Sequence, residues 1–203
     1  MKHFVFTLLL FCTFLSLKSA TWSLPVACSD RQSTDCIRLT EIGTFGLRRK
    51  ERPGVPSHLH TGIDIKRPNK NYSDEPVFPA APGVIISVRN DGPYAQIIIE
   101  HREQNTKTWT VYEHISGIRV NAGDEVRPDR PIARFMNTDE LNKYGWKFDH
   151  LHFEVMKMPP VKLKPLAANP QRFFNSYGLV CYSEKDLEEH YYDPLRFLSE
   201  HFK

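Results

Sequence analysis

The chain has 203 residues, 27 Lys and Arg against 24 Asp and Glu, a formal net charge of +3, and 40% hydrophobic residues. That length allows one domain with a real core. The near balance of charge excludes a protein built to hold a nucleic-acid polyanion, which needs a concentrated basic face.

The first segment, MKHFVFTLLLFCTFLSLKSA, has a basic start, an apolar run from Phe4 to Leu17 and small residues at Ser19 and Ala20. This is the layout of a secretory signal, with an apolar run too short to span a bilayer comfortably. Residues 1–20 are therefore expected to direct export, to a periplasmic or extracellular space. An uncleaved anchor is the alternative, and no integral membrane segment remains once they are removed. Residues 21–42 read as an N-terminal arm carrying Cys28 and Cys36. With Cys181 these make three cysteines in the exported part, so an oxidising compartment permits one bridge and leaves one thiol. Cys28–Cys36 is nearest in sequence, and Cys181 can substitute for either.

From residue 43 to 158 short β-rich runs alternate with Pro, Gly, Asn and Asp. GVIISV (83–88), AQIIIEH (95–101), TWTVYEH (108–114), RPIARFM (130–136) and HLHFEVM (150–156) predict strands, with a turn at RNDGPY (89–94). No long amphipathic helix interrupts this block, so the fold class is all-β. Residues 159–203 form a C-terminal extension with one short helix predicted within SEKDLEEHYY. Residues 159–190 of it lie outside the strand pattern and read as an insertion that tunes specificity rather than fold.

The triplet His-Leu-His occurs twice, at 58–60 and 150–152. Side chains two apart on a strand share a face, so His150, His152 and Glu154 project together, and His60 and Asp64 form a second convergent pair. Two His and one carboxylate from separated segments, with an open fourth position, is a common arrangement for catalytic zinc. Taken alone, an H-x-H is more often an ordinary surface or core pair. What changes the weighing is a third segment, TVYEHIS, which places His114 at a strand end.

Taken together, these segments make the chain resemble the lysostaphin-type (LytM-like) zinc endopeptidases, which cut peptide bridges in bacterial cell walls. The residues carrying the resemblance are FGLR (45–48), HTGIDI (60–65), PVFPAAPGVI (76–85), IIIEH (97–101), TVYEHIS (110–116), VNAGDEV (120–126), HLHFEV (150–155) and DPLRFL (193–198). The resemblance implies a compact antiparallel two-sheet or barrel-like peptidase domain over 43–158. It implies Zn²⁺ held by His60, Asp64 and His152, with His114 and His150 as the catalytic cleft histidines. It also implies a peptidoglycan peptide as substrate, no nucleic-acid partner, and a monomer.

Around that set, His58 reads as a surface or supporting residue and Glu154 as a supporting one. Tyr112 shares a strand face with His114 and is a possible further donor. Phe148 and Asp149 replace the small residue and proline the family has there, which predicts a bulkier and more acidic cleft wall. Two other readings are carried. One is a non-catalytic binding or regulatory protein on the same scaffold. The other is a biotin- or lipoyl-carrier domain, suggested by Met156-Lys157-Met158, although Lys157 lies far from the half-motif VNAGDEV and is followed by two prolines.

Overall fold

The computed structural model of the chain describes residues 21–202, and the export segment expected at 1–20 lies outside the described residues. The strands in chain order are β1 (Arg48–Arg49), β2 (His58–Leu59), β3 (Ile63–Lys66), β4 (Pro76–Val77), β5 (Gly83–Arg89), β6 (Gln96–Glu103) and β7 (Thr106–Glu113). They continue with β8 (Ile115–Ser116), β9 (Glu125–Val126) and β10 (Ala133–Phe135), then helix α1 (Thr138–Tyr144) and β11 (His150–Met156). The last part holds β12 (Val161–Lys162), β13 (Phe174–Asn175), α2 (Glu184–His190), β14 (Tyr191–Tyr192) and α3 (Pro194–His201). The main sheet runs β14-β11-β7-β6-β5-β9, with β3 also paired to β11, and its ladders are antiparallel. A smaller antiparallel sheet runs β4-β10-β8. The all-β expectation holds.

The central strands are apolar on both faces because both faces are covered. In β6, Ile97 and Ile99 enter the main core while Ile98 enters a second cluster with Trp109, Val111, Met156 and Leu187. Burying such a side chain contributes about 1.5–3 kcal/mol, so the two clusters together fix which residue of each strand faces which way. In β11 the alternation is complete: Leu151, Phe153 and Val155 pack into the main core, leaving His150, His152 and Glu154 on the opposite face. In β3, Ile63 and Ile65 do the same and Asp64 is left opposite.

The structure differs from the sequence reading in four places. Helix α1 forms inside 133–149, where Asn137 and Glu140 make a reciprocal capping box. Helix α3 forms on DPLRFL, with Asp193 capping the Leu195 and Arg196 amides and Pro194 at its first position. It buries Phe197 and Leu198 in the main core, Phe197 lying edge-on to Trp22 with centroids 4.7 Å apart. The third difference is a correction. Residues 159–190 were expected to affect specificity rather than fold, yet Cys181 and Leu187 are buried in the second cluster. The Val88 and Leu59 amides donate to the Gln171 and Cys181 carbonyls at 2.9 and 2.8 Å. Such contacts are invisible to strand periodicity because they come from a loop and a short helix. The predicted helix at 183–192 is shorter, 184–190, since Tyr191 and Tyr192 leave it to pair with Met156 and Val155.

Cys28 and Cys36 are disulfide-bonded and Cys181 is a buried free thiol. Among the described residues no helix is long and apolar enough to cross a membrane.

Candidate metal centre and cleft

His60, Asp64 and His152 meet because of strand register. Asp64 and His152 are directly opposite in the β3–β11 ladder, where facing Cβ atoms lie about 5 Å apart. Gly62 permits the approach: a Cβ there would fall 2.4 Å from the Phe153 carbonyl oxygen. His60 sits just ahead of β3, its amide bonded to the Leu47 carbonyl at 2.9 Å and its own carbonyl accepting from Gly46 at 2.8 Å.

The three side chains present one atom each. His60 Nε2 and His152 Nδ1 lie 3.0 and 2.9 Å from Asp64 Oδ1, and 3.0 Å from each other. The far side of each imidazole is occupied. His60 Nδ1 donates to the Thr44 carbonyl at 3.0 Å and His152 Nε2 to Glu154 Oε1 at 3.1 Å. Glu154, buried, also accepts a short bond from the Thr61 hydroxyl. Those bonds fix the tautomers so that both inward nitrogens carry lone pairs, aimed at a carboxylate oxygen.

Three mutually repelling lone pairs at 3 Å call for a cation. An ion tetrahedrally bound about 2.0 Å from each donor would separate them by about 3.3 Å, close to the observed triangle. The His₂Asp set therefore fits a zinc ion. The same acceptors also favour a proton on His152. Burial opposes the imidazolium of His152, but bonds to Asp64 and Glu154 outweigh it and push its pKa up to about 10. His60 is lowered, chiefly by burial. Asp64 is held well below the carboxylate range, because bonds from His152 and His60 overcome its burial.

Two further histidines border the cluster. His150 precedes His152 by two, and its Nε2 is 3.6 Å from Asp64 Oδ1. Burial, then the neighbouring His114, lower its pKa to about 3. His114 stands against it, with ring centroids 4.8 Å apart at 72°. Its Nδ1 donates to the Pro93 carbonyl at 2.6 Å, which leaves Nε2 as an acceptor with Glu113 Oε1 no nearer than 3.8 Å. Burial lowers its pKa too. Both rings are neutral at pH 7 and able to accept a proton.

His114 also overturns one expectation. Its φ is +63°, which breaks the strand alternation, so Tyr112 does not share its face. Tyr112 is wholly buried in the main core, its hydroxyl accepting from the Ala80 amide at 2.8 Å. Asp149 is a second correction. It does not acidify the cleft, because Arg67 engages Asp149 Oδ1 through Nε and Nη2 at 2.9 and 2.7 Å. Phe148 does line the cleft, 5.0 Å from the His114 ring and 5.6 Å from that of Tyr94. His58 is buried rather than on the surface, with Nδ1 2.8 Å from the Pro56 carbonyl. Lys157 donates to the Glu188 carbonyl at 2.6 Å and lies over Tyr192, outside the cleft.

The cleft encloses about 670 Å³ and opens beside the cluster. One contributor escaped the sequence reading altogether. Arg49 in β1 places Nη2 2.6 Å from Asp64 Oδ2, the oxygen turned away from the two imidazoles. No spacing rule links residues 49 and 64. Thr61 was missed as well, since a threonine beside a histidine carries no chemical signal of its own.

The model of peptidase family M23 matches residues 58–167, more than half of the chain. Among solved structures, a zinc-containing peptidase from Vibrio cholerae shares 26% identity over 68% of this chain and 37% of its own, with a TM-score of 0.47. LytU shares 27% identity over 60% of this chain and 74% of its own, with a TM-score of 0.42. The antimicrobial peptidase lysostaphin from Staphylococcus simulans shares 18% over 88% and 56%, with a TM-score of 0.48. The chain thus spans little more than a third of the Vibrio cholerae protein. No curated protein matches it.

Proposed function

The chain belongs to peptidase family M23, and from that premise we propose that it is a zinc-dependent endopeptidase that hydrolyses peptide cross-links of bacterial peptidoglycan. The observation that carries this reading is the triangle of His60 Nε2, Asp64 Oδ1 and His152 Nδ1 at the base of an open cleft. In this reading the three are the metal ligands, and His114 and His150 are the catalytic histidines. The work is done outside the cytoplasm, after export directed by residues 1–20.

Zinc held there would polarise the scissile carbonyl and bring the pKa of a water toward ~7. The protein's own residues do the rest. Glu154 and the Thr44 carbonyl hold the ligand imidazoles in their working tautomers. Hydrolysis adds water to the carbonyl carbon, breaks the C–N bond and transfers a proton to the leaving amine. Neutral His150 and His114 take up the proton from water and return it to the amine, and either imidazolium steadies the developing oxyanion. Phe148 and Tyr94 stand beside the His114 ring, with centroids 5.0 and 5.8 Å away, and limit water there.

The test is digestion of purified cell walls by protein lacking residues 1–20, followed by analysis of newly formed amino termini. Cleavage should stop with a chelator and return on adding zinc. Walls left intact by fully zinc-loaded protein would overturn the reading.

A further inference from the structure

The cleft has a feature that the metal chemistry does not use. Arg172 lines it and stands outside residues 58–167, the part matched by the family model. The guanidinium is half-buried, and among the described residues no carboxylate lies within 4.0 Å of it. Its Nε is buried without a partner, while Nη2 donates to Asn175 Oδ1 at 3.1 Å. Burial, then the neighbouring Arg89, lower its pKa. The two nearby acids are already engaged. Asp91 is forked by Arg89 at 2.6 and 3.1 Å, and Glu113 Oε2 accepts from Gln96 at 2.7 Å. A half-buried cation left without a carboxylate costs stability and needs a reason.

Its position is also fixed. The Val88 amide donates to the Gln171 carbonyl, and the Ser87 hydroxyl exchanges bonds with Phe174. The residues on both sides of Arg172 are thereby tied to β5. Tyr94 connects this end of the cleft to the reacting groups, lying 5.7 Å from the Arg89 guanidinium and 5.8 Å from the His114 ring. An extended peptide covers that span in about three residues.

We propose that Arg172, with Arg89 beside it, forms a carboxylate-binding subsite at the end of the cleft beyond His114. The substrates are then cell-wall peptides bearing a free carboxylate within about three residues of the scissile bond, rather than uncharged glycine bridges. The planar guanidinium offers parallel donors that suit a carboxylate, and the partly desolvated setting strengthens the pairing. This substrate class rests on the peptidase reading above.

The experiment uses zinc-loaded protein and soluble cross-linked cell-wall peptides in two forms, with stem carboxylates free or converted to amides. Wild type should cleave the free form with a kcat/KM roughly 10- to 100-fold higher, the range expected for one charge-assisted pairing. Arg172→Gln should bring the ratio close to one, and Arg172→Lys should keep part of it. Zinc content and thermal melting, measured alongside, identify any variant that has failed to fold. Binding of the two peptide forms to wild type by calorimetry supplies an independent readout. Cleavage without discrimination, or full discrimination in folded Arg172→Gln, overturns the subsite and leaves the peptidase reading standing. Carboxylate-selective binding that Arg172→Gln abolishes, with neither form cleaved, upholds the subsite and overturns the peptidase reading.

Discussion

Two histidines, one buried and one half-buried, sit at opposite ends of the β6–β7 ladder and do different things. His101, in β6 opposite Thr108, has both ring nitrogens engaged, with Nδ1 2.9 Å from the Pro82 carbonyl and Nε2 2.7 Å from the Thr110 hydroxyl. His114, just beyond the other end, has one nitrogen tied to Pro93 and the other turned to the cleft. Both have lowered pKa values for the same leading reason, burial. The shift alone therefore does not separate structure from chemistry. What separates them is the unspent lone pair. His101 is a packing residue whose polarity is cancelled, while His114 is anchored on one side and open on the other.

The sharpest break of this comparison comes from the cluster beside His114. On the proposed reading, His152→Ala removes a ligand, so zinc affinity should fall by well over the ~10- to 100-fold that supporting residues command. Activity should vanish with it, and metal analysis after dialysis reads the loss. His114→Ala and His150→Ala should retain stoichiometric zinc while kcat drops by about 10²–10⁴-fold, as for loss of a positioned proton-transfer group. If His150→Ala loses zinc while His152→Ala keeps it, the two histidines have exchanged roles.

His101→Gln tests the other end. It should leave zinc content and kcat of the folded protein unchanged but destabilise the fold by about 1–3 kcal/mol, measured by denaturant unfolding. Acid adds a second signature. His101 stays neutral in the folded protein down to about pH 4, whereas in the unfolded chain it takes up a proton near 6.5. Its contribution to stability is therefore complete above 6.5 and is lost as pH falls through 4. Wild type should lose about 2–3 kcal/mol more than His101→Gln over that window. Equal losses would place no buried neutral imidazole at 101.

The smallest expected effect belongs to Glu154→Gln. The amide still accepts from His152 but no longer as a carboxylate, so zinc affinity should fall by about 10-fold. Competition with a chromogenic chelator measures it, and an unchanged affinity would show that Thr61 and Glu154 only fill space.

Much of the site could be read from the chain itself, because alternation along a strand is a local property. His150, His152 and Glu154 share a face whatever surrounds β11, and Ile63 and Ile65 force Asp64 onto the other side of β3. The capping pattern Asn137–Glu140 was equally local, and legible in principle. Other features depended on which strands met. Asp64 faces His152 through a register that Gly62 allows, and Arg49 reaches Asp64 from β1, 15 positions earlier, through a contact that no spacing rule encodes. His114 left the alternation through a positive φ that side-chain pattern does not encode. Asp149 lost its place in the cleft to Arg67, 82 positions earlier. Sequence by itself determined the long strands β5, β6, β7 and β11, their apolar faces and the residue types able to bind a metal, since those follow from the period of the backbone. The tertiary structure alone decided which lone pairs were left unspent, because that depends on partners brought from distant segments.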